Sequence, residues 1–103
     1  MAGEEKRVAV YLVCHNRIHN PEKMQEYLRK GRVAMASYEH EILVSAEHSE
    51  VLEGTTHLPR TIIVKFESRD AAMAWYNSPE YQEALPLRLA ATEGYTVLVE
   101  GRQ

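Results

Sequence analysis

The sequence is short of the residues that many functional sites require. Its 103 residues include one cysteine, Cys14, so neither an intrachain disulfide nor a site built from several thiolates can form. Lysine and arginine number 12 against 15 acidic residues, which leaves a formal net charge of −3. Because both signs are interspersed along the chain, we expect no nucleic acid and no anionic membrane as a partner.

Long apolar runs are missing as well. No run approaches the roughly twenty residues that cross a bilayer. Residues 1–7 lack the charged and then apolar layout of a secretory signal. Together with the single cysteine, this predicts a cytoplasmic protein. The length predicts a single domain over residues 1–103, with residues 1–6 as a flexible N-terminus.

Apolar patterns predict four strands and two helices, the second of them broken. Runs rich in β-branched residues predict strands over Arg7–His15, Glu41–Ala46, Thr61–Glu67 and Tyr95–Glu100. Asn20 followed by Pro21 predicts the start of the first helix, whose apolar stripe reaches Met35. The second helix, within residues 68–93, is predicted to break because Ser68 and Ser78 can each cap a helical turn.

The order strand, helix, strand, strand, helix, strand predicts an α+β fold. Two right-handed βαβ units in this order form a four-stranded antiparallel sheet with the helices on one face, the ferredoxin-like βαββαβ arrangement. The strands are apolar on both faces, however, since Val10 and Leu12 alternate with Tyr11 and Val13. An uncovered apolar face marks an interface or a ligand groove. We therefore expect a homodimer formed through the sheet face.

Three segments resemble a known family. They are residues 51–54 (VLEG), 66–88 (FESRDAAMAWYNSPEYQEALPLR) and 97–101 (VLVEG). They look like the domain-of-unknown-function family 1330, and the resemblance extends from the first strand to Gly101. It implies a dimeric α+β barrel, in which two ferredoxin-like sheets face each other. The wider superfamily that it resembles includes cofactor-free oxygenases, isomerases and dechlorinating enzymes, so the fold alone does not choose an activity.

Polar residues that interrupt apolar stripes are the candidates for a ligand site. Arg88 lies on the apolar stripe of the broken helix, and a buried guanidinium needs either a protein carboxylate or an anionic ligand as its partner. Both alternatives stay open here. The predicted ligand-binding set is Arg60, Tyr81 and Arg88, and the candidate acids or bases are His40, His15 and Glu53.

Other patterns predict no further chemistry. The five histidines include no closely spaced set, so no metal site is predicted. No cofactor is expected either, because no glycine-rich phosphate loop is present. Adjacent strand residues point to opposite faces, so Cys14 and His15 cannot form a catalytic pair, and Cys14 is expected to be buried.

These patterns leave two functional hypotheses. The first is a small homodimer that binds or transforms a small organic acid or aromatic molecule between the sheet and the helices. The alternative is a non-catalytic homodimeric or effector-binding module, in which the same space is simply core. An RNA-binding domain of this fold is disfavoured, because residues 61–67 lack the aromatic motif on which bases stack.

Overall fold

A computed structural model describes residues 8–55 and 57–102. In chain order, the elements are β1 (Val10–Ile18), α1 (Pro21–Met35), β2 (Glu41–Ala46), β3 (Arg60–Phe66), α2 (Arg69–Tyr76), α3 (Pro79–Ala91) and β4 (Thr92–Glu100). The predicted flexible N-terminus, residues 1–6, and the predicted first strand residue, Arg7, lie outside the described residues. Within the described ranges, no helix is long and apolar enough to cross a membrane.

The four strands form one sheet in the order β2-β3-β1-β4, and every pair is antiparallel. With the helices on one side, this order confirms the predicted ferredoxin-like α+β fold. The predicted break in the second helix is also confirmed, because α2 and α3 each begin at a serine cap. The Ser68 hydroxyl oxygen accepts a hydrogen bond from the Ala71 N–H, and the Ser78 hydroxyl oxygen accepts one from the Tyr81 N–H.

β1 is shifted along the chain relative to its prediction, because Val8 and Ala9 lie outside it, and β4 is longer than predicted. β1 continues past His15 to Ile18, and β4 begins at Thr92 rather than Tyr95. Ile18 lies opposite Thr92, so the added residues pair with one another. Polar side chains end the apolar pattern at Asn16, but backbone pairing with a neighbouring strand does not require apolar side chains. Asn16 therefore lies inside the sheet.

The helices cover one face of the sheet, and the core lies between them. Val10, Leu12 and Cys14 of β1 are buried on this face, which confirms the prediction for Cys14. On the helix side, the Trp75 ring stacks on Phe66 with the ring centroids 5.5 Å apart. Aromatic pairs of this kind contribute about 0.5–1.5 kcal/mol beyond the burial of their area, so the stack anchors α2 on the sheet.

The opposite face of the sheet has no helix over it in the described structure. Tyr95, Val97 and Val99 of β4 keep 52%, 44% and 47% of their area exposed. Val13 lies beside Val97 and Tyr11 beside Val99, which continues the apolar surface onto β1. We call this surface the open face and define it by Tyr11, Val13, His15, Ile63, Tyr95, Val97 and Val99. The prediction that the strands are apolar on both faces is confirmed.

Candidate functional site

A cleft of about 400 Å³ lies between the helices and the helix-covered face of the sheet. This volume falls within the range of about 300–1,000 Å³ that is usual for small-molecule sites. Leu12, Ile62 and Val64 line it on the sheet side, and residues of all three helices line it on the other. Its walls are therefore mostly apolar or aromatic, which suits a ligand with an apolar body.

The apolar stripe of α1 forms one wall of the cleft. Met24, Tyr27 and Gly31, which follow one another at helical spacing, all line it. A Cβ atom at position 31 would lie 3.6 Å from the Tyr27 ring and would occupy space in the cleft. The absence of a side chain at position 31 therefore leaves this part of the cleft open. Within α1, only Met24 and Ala34 are buried.

Two tyrosines join α1 to α3 beside the cleft. The hydroxyl oxygens of Tyr27 and Tyr81 lie 2.8 Å apart, within hydrogen-bond distance, and the two rings meet edge to face. Burial of Tyr81, with a further contribution from Tyr27, raises the pKa of its hydroxyl well above the usual value, although the positive charge of Arg88 opposes the rise. Tyr81 therefore remains a neutral phenol. Because one hydroxyl of the pair donates and the other accepts, one O–H is left to donate elsewhere.

Arg88 is buried beside this pair. Only 8% of its area is exposed, and its Nη1 donates a hydrogen bond to Thr96 Oγ1 at 3.1 Å. Its guanidinium carbon lies 5.8 Å from the centroid of the Tyr27 ring, a cation–π contact. Within the described part of this chain, no carboxylate forms an ion pair with Arg88, so the alternative in which it pairs with a glutamate of its own subunit is not found. A buried charge without a counter-ion is costly, so an anion in the cleft would stabilise it.

Arg60 is held differently. Its Nε donates to Glu47 Oε2 at 3.2 Å, and its Nη1 donates to Asn16 Oδ1 at 3.4 Å. Asn16 in turn donates from Nδ2 to the sulfur of Cys14 at 3.3 Å. Asn16 is not among the predicted site residues, although the period-two pattern of β1 places it on the helix-covered face after Cys14. Arg60 thus already has a carboxylate partner, whereas Arg88 has none among the described residues.

His40 lies half-buried in the cleft wall, just before β2. Its Nδ1 is 2.7 Å from the carbonyl oxygen of Tyr38. A carbonyl oxygen can only accept, so Nδ1 carries the proton in this contact. In the neutral ring, Nε2 then keeps a free lone pair and can accept a proton.

The structure brings four of the six predicted site residues together, because His40, Arg60, Tyr81 and Arg88 all line the cleft. His15 does not join them. It lies on the open face, with its Nδ1 3.0 Å from Thr61 Oγ1 and its ring 5.6 Å from that of Tyr95. Glu53 is exposed in the connection between β2 and β3, outside the cleft wall. The roles assigned to all six residues stay predictions.

The cleft wall carries charge of one sign. Its charged residues within the described chain are Arg32, Arg60 and Arg88, and no aspartate or glutamate lines it, although the whole chain has a formal charge of −3. The indole N–H of Trp75 is buried and has no hydrogen-bond partner in the described structure. In the same ranges, no group of three potential metal ligands comes together. The arrangement offers positive charge and hydrogen-bond donors, so it can hold an anion with an apolar or aromatic body.

Comparison with known proteins identifies a family and a fold. Residues 9–102 match the profile of the family described as Domain of unknown function (DUF1330). No curated protein matches the sequence. Among solved structures, a protein of unknown function from Rhodopseudomonas palustris is similar with a TM-score of 0.81 and 16% identity, over 99% of this chain and 88% of that one.

Two further solved structures share the fold. SnoaB, a cofactor-independent oxygenase from Streptomyces nogalater, has a TM-score of 0.65 and 16% identity, over 93% of this chain and 95% of that one. A dimeric ferredoxin-like protein of unknown function from Thermobifida fusca has a TM-score of 0.61 and 9% identity, over 98% of this chain and 96% of that one. At such identities, the likeness shows the fold and not the activity.

Proposed function

Since this chain belongs to the DUF1330 family, whose description assigns no activity, we propose from its cleft that the protein binds a small organic anion with an aromatic or apolar body. The observation that carries the proposal is the buried Arg88, which lines an apolar cleft without a described carboxylate partner. A ligand carboxylate or phenolate would supply the missing counter-charge. The aromatic part of the ligand would pack against Leu12, Ile62 and Val64.

Arg88 is a better anion ligand than Arg60. The planar guanidinium binds a carboxylate through two parallel hydrogen bonds, provided that its N–H groups are free. Arg88 has one described hydrogen bond, to Thr96, whereas Arg60 is bonded to both Glu47 and Asn16. Arg60 therefore contributes positive charge to the cleft wall and is held in place by its own partners. Arg88 makes the direct contact with the ligand anion. The free hydroxyl proton of the Tyr27 and Tyr81 pair would donate to the same anion.

We also propose that two copies of the chain pack through their open faces. The apolar side chains of Val97, Val99 and Tyr95 are about half exposed, and burying such a surface in a two-fold interface is the common solution. The fold supports this arrangement, since the similar protein from Thermobifida fusca is described as dimeric. The proposed cleft lies on the other side of the sheet and stays open in such a dimer.

A binding experiment with matched ligands and variants tests the anion site. Benzoate and phenylpyruvate supply the anion, and benzamide is a neutral control of similar shape. We expect Arg88→Met to lower the affinity for benzoate by about 10- to 100-fold, because a charged hydrogen bond contributes about 1.5–3 kcal/mol. Arg17→Met is the matched control, since Arg17 is an exposed residue that forms an ion pair with Glu93 away from the cleft.

The thermal stability of the same variants separates binding from a structural role. Replacing a buried charge without a counter-ion by methionine, which has a similar volume, is expected to leave the melting temperature unchanged or to raise it. A large loss of stability in Arg88→Met would show instead that the guanidinium holds the fold. If benzoate and benzamide bind equally, or if Arg88→Met binds benzoate as tightly as the wild type, the proposal is wrong.

A further inference from the structure

We propose that the cleft catalyses enolisation of a bound aromatic 2-oxo acid, with His40 as the base. This inference rests on the proposed anion site and adds a reaction to it. The geometry points to it because His40, whose Nδ1 is hydrogen-bonded to a carbonyl oxygen, lines the same cleft as Tyr27 and Arg88. A base on one wall and donors for an oxyanion on another are the two requirements of proton abstraction beside a carbonyl group.

The hydrogen bond to Tyr38 prepares His40 to act as a base. The backbone carbonyl at 2.7 Å holds the proton on Nδ1 and fixes the orientation of the ring. The Nε2 lone pair is then available without any rearrangement of protons. The other residues of the described cleft wall provide no comparable base, since the wall contains no carboxylate and the Cys14 sulfur already accepts a hydrogen bond from Asn16.

The second requirement is stabilisation of the oxyanion, and Tyr27, Tyr81 and Arg88 provide the hydrogen-bond donors for it. Tyr81 is completely buried, and its hydroxyl is hydrogen-bonded to that of Tyr27. If Tyr81 donates to Tyr27, the Tyr27 proton is free to donate to a ligand oxygen. In a 2-oxo acid, the carbonyl is adjacent to the carboxylate. A carboxylate bound to Arg88 therefore brings the carbonyl oxygen towards the same donors.

The proposed step needs no oxidant, reductant or cofactor. His40 Nε2 takes a proton from the carbon next to the carbonyl, and the electron pair of that C–H bond forms the carbon–carbon double bond. The carbonyl π pair moves to oxygen, where the negative charge accepts hydrogen bonds from Tyr27 and Arg88. The imidazolium then returns the proton either to the oxygen, which gives the enol, or to the carbon, which regenerates the ketone.

The substrate class follows from the cleft walls. Arg88 selects a carboxylate, and the Tyr27 hydroxyl selects an adjacent oxygen acceptor. The apolar side chains of Leu12, Ile62 and Val64 select an aromatic or branched apolar substituent. A cleft of about 400 Å³ accommodates a molecule with a single aromatic ring. Phenylpyruvate has all three features, and it is the probe for the test below.

The test measures exchange of the C3 protons of phenylpyruvate for deuterium by NMR in heavy water, with the rate in buffer alone subtracted. We expect the wild-type protein to accelerate exchange. A positioned general base contributes about 10²- to 10⁴-fold, so His40→Gln should lower the protein-dependent rate by about 100-fold or more. The dissociation constant for phenylpyruvate should change by less than about threefold, because Arg88 is retained. His48→Gln, at an exposed position outside the cleft, is the matched control and should exchange like the wild type.

Tyr27→Phe tests the oxyanion side and keeps the proposal open to refutation if His40→Gln does not fold. Removing one oxyanion donor is expected to lower the exchange rate by about 10²-fold or more while phenylpyruvate still binds. If the wild type binds phenylpyruvate without accelerating exchange, enolisation is overturned and anion binding stands. Equal exchange by wild type and His40→Gln overturns the assignment of the base. If neither phenylpyruvate nor benzoate binds, the proposed function itself fails.

Discussion

The buried hydroxyl of Tyr81 makes a measurable prediction about stability at alkaline pH. Tyr81 has no exposed area, and burial is the largest cause of the rise in its pKa above the usual value of 10.0. The unfolded chain ionises this hydroxyl near its usual pKa, whereas the folded protein ionises it only at higher pH. The stability that depends on neutral Tyr81 is thus fully present below about pH 10 and decreases as the pH rises above that value.

The size of the effect follows from linkage. One group that ionises in the unfolded state alone lowers the free energy of unfolding by about 1.4 kcal/mol for each pH unit above its unfolded pKa. At neutral pH, Tyr81→Phe loses the hydrogen bond to Tyr27, which is expected to cost about 1 kcal/mol. Because the variant has no ionisable group at this position, its free energy of unfolding does not undergo this decrease at alkaline pH. The stability curves of the wild type and the variant should therefore cross between about pH 10 and pH 11.

Urea unfolding at a series of pH values provides the assay. The single tryptophan, Trp75, reports on this region because its ring centroid lies 4.2 Å from that of Tyr81. Other groups also titrate at high pH, so the relevant quantity is the difference between the two proteins. His48→Gln, at an exposed position outside the cleft and the open face, is the control and should follow the wild-type slope. Parallel curves for the wild type and Tyr81→Phe from about pH 8 to about pH 11 would refute the argument.

Two further substitutions test the backbone and the open face. Gly94→Ala should destabilise the protein by about 2–4 kcal/mol in denaturant unfolding, because the added Cβ would overlap the His15 carbonyl oxygen and φ is +142°. Gly54→Ala, at φ +80° but with nothing within 4 Å, should cost only about 1 kcal/mol; equal losses would contradict the steric argument. Val97→Lys should weaken the proposed dimer at least about 100-fold in sedimentation equilibrium, since each copy would bring a lysine into an apolar interface. An unchanged association constant would exclude this face as the interface.

The break between α2 and α3 could be predicted because its signals are local. A serine that can cap and a proline suited to the first helical position lie next to each other, and the Ser78 hydroxyl indeed accepts from the Tyr81 N–H. The strand order could also be predicted, since right-handed crossovers leave few topologies for this sequence of elements. These features depend on chain neighbours or on general rules of handedness. They do not depend on distances between remote side chains.

The partner of Arg88 depends on such a distance and could not be predicted. The helical stripe indicates that Arg88 faces the sheet, but the register of β4 decides which side chain it meets. That register places Thr96 opposite Cys14, so Arg88 contacts a hydroxyl rather than a carboxylate. The extent of the cleft could not be predicted either, because it also depends on a distance between remote parts of the chain. The stripe of α1 shows which side faces the sheet but not how far the helix lies from it, and that separation creates the cleft.

The alternation of side chains along β1 separates the two proposed surfaces. Leu12 and Cys14 face the cleft, while Val13 and His15 face the opposite side. A dimer through the open face therefore covers none of the residues assigned to anion binding. It follows that Val97→Lys should dissociate the subunits and leave the affinity for benzoate within about threefold of the wild type. If affinity falls together with dimerisation, β1 transmits strain between its faces, and the cleft is complete only when a second copy supports the sheet.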